Sequence, residues 1–303
     1  FHDQNSGVTI SYTGGGSGKG RGDITKNLVD FAGSDAPMSD AELANATDVI
    51  ELPAAAGAVT IAYNVPELGS TPLKLDGDAI AKMFMGNITK WNDPALQALN
   101  PGVSLPAQDI SIVHRSDGSG TTSTFTDYLV KVSPAWAAAI GKGSTVNWPV
   151  GTGAAGNNGV GSQVQQLPYS VGYLGAEWAN ISKVQTALIK NSAGNFEGPT
   201  ADAVAKAVDT AVAAGAFDAK LRGSVTNQGC DGCYPISLVS WLLVHQHQAD
   251  AAKGKAVAAF LWYAVHEGQQ LNAGLNYVPI PASVVQKEET FINAMDANGQ
   301  PLR

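Results

Sequence analysis

The sequence predicts an α/β fold, and three observations carry that expectation. Extended apolar stretches alternate with helical ones along the chain; three times a strand-like run passes through a polar, glycine-rich loop into a helical pattern; and 44% apolar against 15% charged residues in 303 is the composition of a chain that buries a core. Alternation of this kind implies parallel sheets covered on both faces by helices. The length suits one large domain or two of ordinary size.

Val8-Thr9-Ile10-Ser11-Tyr12 alternates as a strand should, and the run Gly14-Gly15-Gly16-Ser17-Gly18 stops it before Ile24, Leu28 and Val29 take up helical spacing. Val29 to Ala32 is extended, Gly33 to Pro37 turns, and Ser39 to Glu42 has capping-box spacing ahead of a second helix. Gly57 to Tyr63 reads as an apolar strand and Ala79 to Phe84 as a helix. Asp109 to His114 is again strand-like and runs into Arg115-Ser116-Asp117-Gly118-Ser119-Gly120-Thr121-Thr122, followed by a helix over Phe125 to Val132. A glycine-rich stretch from Gly151 to Gly159 precedes a helix to Gln166 and a short strand over Ser170 to Leu174. Ala201 to Phe217 reads as a helix, Ile236 to His245 as a buried strand, and Lys253 to Glu267 and Ser283 to Met295 as the two last helices.

Eighteen Lys and Arg against 26 Asp and Glu give a net charge of −8, which tells against a broad basic surface for nucleic acid or anionic lipid. An anion bound by this chain is captured locally. No apolar run reaches the roughly 18 to 20 residues that cross a bilayer, and no basic-then-apolar leader opens the sequence, so a soluble mature protein is expected.

A helix begins with unpaired N–H groups and a partial positive charge, so a loop of glycines and hydroxyls leading into it forms an anion cradle without a lysine. Ser17-Gly18 and Ser119-Gly120-Thr121 each supply that device. Arg115 adds a planar fork matched to two oxygens of a tetrahedral oxyanion, and Asp117 is close enough in sequence to steady it. Asp35 suits an anion site only if the ligand carries a proton. Monohydrogen and dihydrogen phosphate have an O–H for a carboxylate to accept, whereas sulfate has none and is repelled. The plainer alternatives are that the glycine loops are turns, their hydroxyls N-caps, and Asp35 part of the turn before Ala36-Pro37.

The segments Thr13 to Gly18, Val29 to Pro37 and His114 to Thr122 together resemble those of the phosphate-binding receptors of bacterial ABC-type phosphate importers. Gly86-Asn87-Ile88-Thr89-Lys90-Trp91-Asn92-Asp93-Pro94, Trp148 to Gly151, Val171-Gly172-Tyr173 and Asn298 to Leu302 resemble them too, in order, from about Val8 to the C-terminus. The resemblance implies a two-lobed periplasmic-binding-protein fold of type II with its ligand in the cleft between lobes. Lobe I is expected over residues 1–63 and 231–303 and lobe II over 64–230, with crossings near Ala62 to Pro66 and Asn227 to Tyr234. It also implies phosphate contacts from Ser17, Asp35, Arg115, Ser119, Gly120 and Thr121, with Asp117 pairing the arginine. Such receptors open with a first strand and a Gly-Ala-Thr-Phe-Pro type loop that also holds phosphate. Phe1 follows that segment, so another chain is expected to supply it, or it lies outside this sequence. Losing its two or three charge-assisted hydrogen bonds would weaken binding at least about a hundredfold.

Other signals are weaker. Gly151-x-Gly153-x-x-Gly156 matches a dinucleotide fingerprint by a pattern common in glycine-rich chains, and Gly18-Lys19 fails the P-loop pattern at Thr13 and Gly20. Arg21-Gly22-Asp23 reads as a helix start, and Ser119 lacks the frame of a serine hydrolase. Cys230 and Cys233 suit a disulfide, a redox pair or half a metal site, and together with His245 and His247 they resemble scattered zinc ligands. A local disulfide is preferred if the protein is exported, and no metal or cofactor is expected. The expected protein is a periplasmic or extracellular receptor that catalyses nothing and delivers phosphate to a membrane ABC importer. The alternative is an extracellular assembly or adhesion protein that retains the receptor fold, its first strand completed by another chain.

Overall fold

In the computed structural model, which describes residues 1–303, a 3-10 turn over His2–Gln4 precedes α1 (Ser17–Thr25), β1 (Ala32–Ser34), α2 (Asp40–Leu43) and β2 (Val49–Asn64). Next come β3 (Lys74–Leu75), α3 (Gly77–Phe84), α4 (Pro94–Leu99), β4 (Ser111–Arg115), α5 (Gly120–Val132) and α6 (Pro134–Ala139). The central stretch holds β5 (Thr152–Ala154), α7 (Gly156–Gln166), β6 (Ser170–Gly175), α8 (Ala176–Ser182), β7 (Gln185–Thr186), β8 (Leu188–Lys190), β9 (Phe196–Glu197) and α9 (Ala201–Ala213). β10 (Ser237–His245), β11 (His247–Gln248), α10 (Ala251–Val265), α11 (Ala282–Asn293), β12 (Asp296–Ala297) and β13 (Gln300–Pro301) complete the chain.

The 16 residues of β2 form the axis of the molecule. Its first part, Val49 to Ala58, pairs antiparallel with β10, and its second part, Val59 to Asn64, pairs antiparallel with β6. A seven-stranded sheet results, in the order β1-β10-β2-β6-β4-β5, with β7 also against β2. Alternate residues of β2 serve opposite faces, as strand geometry requires. Ile50 and Leu52 pack with Val244, Leu261 and Ile292 under α10 and α11, and Ala62 packs with Val160, Val164 and Leu174 under α7 and α8. Val59, Ile61 and Tyr63 point the other way, into a core that holds Phe84, Trp91, Phe125, Trp136 and Val204. Helices therefore cover both faces of a mixed α/β sheet.

Two expectations need correcting. Within this sheet only β6, β4 and β5 run parallel to one another, while β1, β10 and β2 are antiparallel. Alternation along the sequence gives crossover lengths but not neighbours, and β2 passes straight through while β10 returns from far along the chain. Val8 to Tyr12, which alternates well, forms no strand. Its alternation lacks a ladder: from Thr9 to Gly15 no backbone N–H donates to another backbone group. This segment and the free edge of β1 instead flank a cavity of about 690 Å³.

Candidate functional site

Gly16 adopts φ +75°, a conformation that glycine reaches without a Cβ clash, and this turn delivers Ser17 as the first residue of α1. Ser17 is 5% exposed, and its Oγ accepts the N–H of Asp35, the residue that follows β1. On the facing side Ser119 caps α5, its Oγ accepting the Thr122 N–H at 3.1 Å. The N–H groups of Gly120 and Thr121 donate to no protein acceptor. A Cβ on Gly120 would strike Ser17 Oγ and stand 2.6 Å from Asp35 Cβ, so Ser17, Asp35 and the start of α5 converge on one small space.

Arg115 ends β4 and is 5% exposed. Its Nε and Nη2 donate to the two oxygens of Asp117 at 2.7 and 2.5 Å, a bidentate grip that fixes the guanidinium plane. Nη1 reaches Asn157 Oδ1 at 3.0 Å and Thr121 Oγ1 at 3.4 Å. Burial would raise the Asp117 carboxyl, but the Arg115 hydrogen bonds and the Gly156 N–H outweigh it and hold the group below the ordinary carboxylate range. Behind the arginine, Tyr173 accepts the Arg115 N–H at 3.1 Å and shares a hydrogen bond with Thr122 Oγ1; burial pushes its phenol up to about 12.

Asp35 lies in the opposite electrostatic condition. Burial raises its carboxyl, and a hydrogen bond from Ser240 and the charge of Arg115 offset that only in part. Ser240 Oγ donates to Oδ1 at 2.5 Å, while Oδ2 accepts from no protein donor. The enclosure thus holds free N–H donors, a fixed guanidinium and one carboxylate oxygen with spare acceptor capacity. That set is suited to a tetrahedral anion bearing a proton.

The structure brings Ser17, Asp35, Arg115, Asp117, Gly120 and Thr121 together, with Ser119 at the head of α5. Lys19 turns aside to pair with Asp23. Sequence reasoning missed Asn157 and Ser240. Asn157 sits in the glycine-rich stretch opening α7, a further loop-to-helix junction whose polar residue gave a usable signal. Ser240 gave none, because it is one of two serines in an otherwise mostly apolar strand and meets Asp35 only through sheet register. Cys230 and Cys233 are joined as a disulfide. His245 is held by Asp48 and the Ile24 carbonyl, and His247 by Asp296.

Loop-to-helix cradles that meet across a sheet shared by two halves define a two-lobed binding protein. A family model described as a PBP superfamily domain matches residues 1–265. The chain is 38% identical over 292 residues to the phosphate-binding protein PstS of Pasteurella multocida, covering 95% of this chain and 83% of that protein. It is 39% identical over 298 residues to the phosphate-binding protein PstS 3 of Mycobacterium leprae, covering 95% and 80%. The chain belongs to the PBP superfamily and, within it, to the PstS family of phosphate-binding proteins. The same fold is present in the phosphate-bound high affinity periplasmic phosphate-binding protein PfluDING, with TM-score 0.72 and 21% identity over 93% of this chain and 87% of that one. A phosphate-binding protein from Stenotrophomonas maltophilia also shares it, with TM-score 0.71 and 21% identity over 92% and 86%.

Proposed function

We propose that this protein is a periplasmic or extracellular receptor that binds inorganic phosphate between lobe I (1–63 and 231–303) and lobe II (64–230), delivers it to a membrane ABC importer and catalyses nothing. The observation that carries this reading is the convergence of the Asp35 carboxylate and the Asp117-clamped Arg115 on the free N–H groups of Gly120 and Thr121. Arg115 neutralises ligand charge, Ser17, Ser119, Gly120 and Thr121 donate to its oxygens, and Asp35 accepts its proton. A fully ionised sulfate would set an oxygen against the Asp35 carboxylate with no hydrogen between them, and is disfavoured. Ligand bridging both sides favours the closed arrangement over an open one. The net charge of −8 does not oppose binding, because the site acts at contact range while remote charges are screened. Calorimetric titration of the purified chain with phosphate and with sulfate tests the reading: saturable phosphate binding with weaker sulfate binding is expected, and equal affinity for both defeats it.

One observation favours the second reading, an extracellular assembly or adhesion protein on the receptor fold. Thr9 to Gly15 offers a backbone without backbone partners opposite the free edge of β1, across the 690 Å³ cavity, and an added strand supplied by another chain would find hydrogen-bonding groups on either side. Under that reading the chain forms polymers in size-exclusion chromatography; a monomer that binds phosphate tightly rejects it.

A further inference from the structure

We propose that Ser240 sets the pH at which the site begins to admit a proton-free oxyanion, by holding the Asp35 carboxylate as a single-acceptor anion. This rests on the phosphate reading above and assigns a positioning residue within it.

The contact is built into the sheet. β1 and β10 are antiparallel with Ser34 opposite Trp241, so one step further along β1 brings Asp35 opposite Ser240. Between Ser240 and Trp241 the pairing of β10 with β2 shifts, from Ala55 to Pro53, leaving Ala54 as an extra residue. Bulges of this kind re-aim side chains beside binding sites. A hydroxyl has one proton, and at 2.5 Å Ser240 directs it at Asp35 Oδ1. The other oxygen then remains to accept a hydrogen from the ligand.

Several groups face Asp35. Arg115 at the end of β4 favours the ionised carboxylate. Burial opposes it. Glu177 at the start of α8 and the phenols Tyr12 and Tyr277 also face Asp35, and the Asp35 charge disfavours the ionisation of each of them. Ser240 is the side-chain hydrogen-bond donor to the Asp35 carboxylate in this balance. Without its hydroxyl the carboxyl takes up a proton at higher pH. A protonated Asp35 donates a hydrogen bond, so it no longer repels sulfate and can hold it. Removing Ser240 therefore moves the onset of sulfate binding upward in pH.

The test is calorimetry of the wild type, Ser240→Ala and Ser240→Thr with sulfate and with phosphate over a pH series that starts at the ordinary carboxylate value of 3.8 and runs upward, the direction in which burial moves Asp35. Ser240→Ala is expected to start binding sulfate about one pH unit above the wild type, the size of one hydrogen bond to a charged group, and Ser240→Thr to restore the wild-type onset. A structural role would instead weaken both anions alike at every pH. Carbon-13 titration of the Asp35 carboxyl in Ser240→Cys, with its weaker donor, gives an intermediate shift and keeps the test open if the alanine variant fails to fold. An unchanged sulfate onset in Ser240→Ala, with phosphate still bound, overturns the role of Ser240 while leaving the phosphate reading intact. A wild type that binds no phosphate overturns both.

Discussion

Gly18 and Gly118 meet backbone to backbone: the Gly18 N–H donates to the Gly118 carbonyl at 2.8 Å, and a Cβ on Gly18 would lie 3.0 Å from Gly118 Cα. The first turn of α1 and the loop that leads to α5 are thereby joined beside Asp35 and Arg115. Arg21 adds a second link, its Nη2 donating to Ser144 Oγ at 3.0 Å. The arrangement is closed, and glycine at these positions is what permits it.

Gly120→Ala tests the closure. Its new Cβ would collide with Ser17 Oγ and with Asp35, backbone included, so the two sides must stay apart. Phosphate affinity is expected to fall at least about tenfold, since the donors no longer converge. Small-angle scattering should show the wild type contracting on adding phosphate and the variant unchanged; equal contraction would contradict the steric account.

Asp35→Asn tests the filter. An amide presents an N–H where the carboxylate accepted, so the sulfate-to-phosphate affinity ratio should rise about 10- to 100-fold, in line with the ~1–3 kcal/mol cost of leaving a buried polar group unpaired. Competition calorimetry that finds the ratio unaltered removes Asp35 from this role.

Arg115→Lys keeps the charge and loses the fork. An ammonium cannot reproduce the two-point grip on Asp117 together with the reach to Asn157 and Thr121. Phosphate affinity should drop about 10- to 100-fold, the worth of one charge-assisted hydrogen bond or slightly more. Because the folded Asp117 carboxyl titrates below its ordinary value of 3.8, its pairing with Arg115 holds above that value and is lost as pH falls further. Wild-type affinity measured by equilibrium dialysis should therefore weaken only in strong acid on account of this pair.

Glu288→Gln tests a buried acid away from the site. Glu288 on α11 is fully buried, neither carboxyl oxygen has a partner, and burial pushes its titration from 4.5 to about 9. The folded state therefore keeps a proton that the unfolded chain releases, so stability is greatest below 4.5 and declines as pH rises towards about 9. Glutamine has no proton to lose. The variant's advantage in Tm over the wild type should grow steadily from acid to about pH 8, by as much as ~1.4 kcal/mol per pH unit in ΔG; parallel Tm curves would refute it.

Local pattern revealed elements whose neighbours are local. The capping box of Ser39 and Glu42 forms as spaced, although α2 lasts only four residues, and the apolar run from Ile236 to His245 forms β10 almost to the residue. Gly57 to Tyr63 proved to be one end of a longer strand, because Pro53 and the alanines of β2 have weak intrinsic β preference and are held extended by β10. The candidate anion site was legible where its groups sit within a few residues, as Arg115, Asp117 and Ser119 do. Ser240 and Asn157 lie 205 and 42 positions from the groups they touch, Asp35 and Arg115, and only the folded register brings them there.

The unbroken run of β2 from its ladder with β10 into its ladder with β6 has a mechanical corollary. If its two segments turn against each other, each can keep its ladder to β10 or β6, so the resistance would come from torsional stiffness of the strand rather than from ruptured bonds. Gly57, where an added Cβ would approach the Tyr277 ring at 3.2 Å, lies beside the switch of partners between Ala58 and Val59. A side chain there would stiffen the pivot and slow ligand exchange while leaving every group that touches the anion in place.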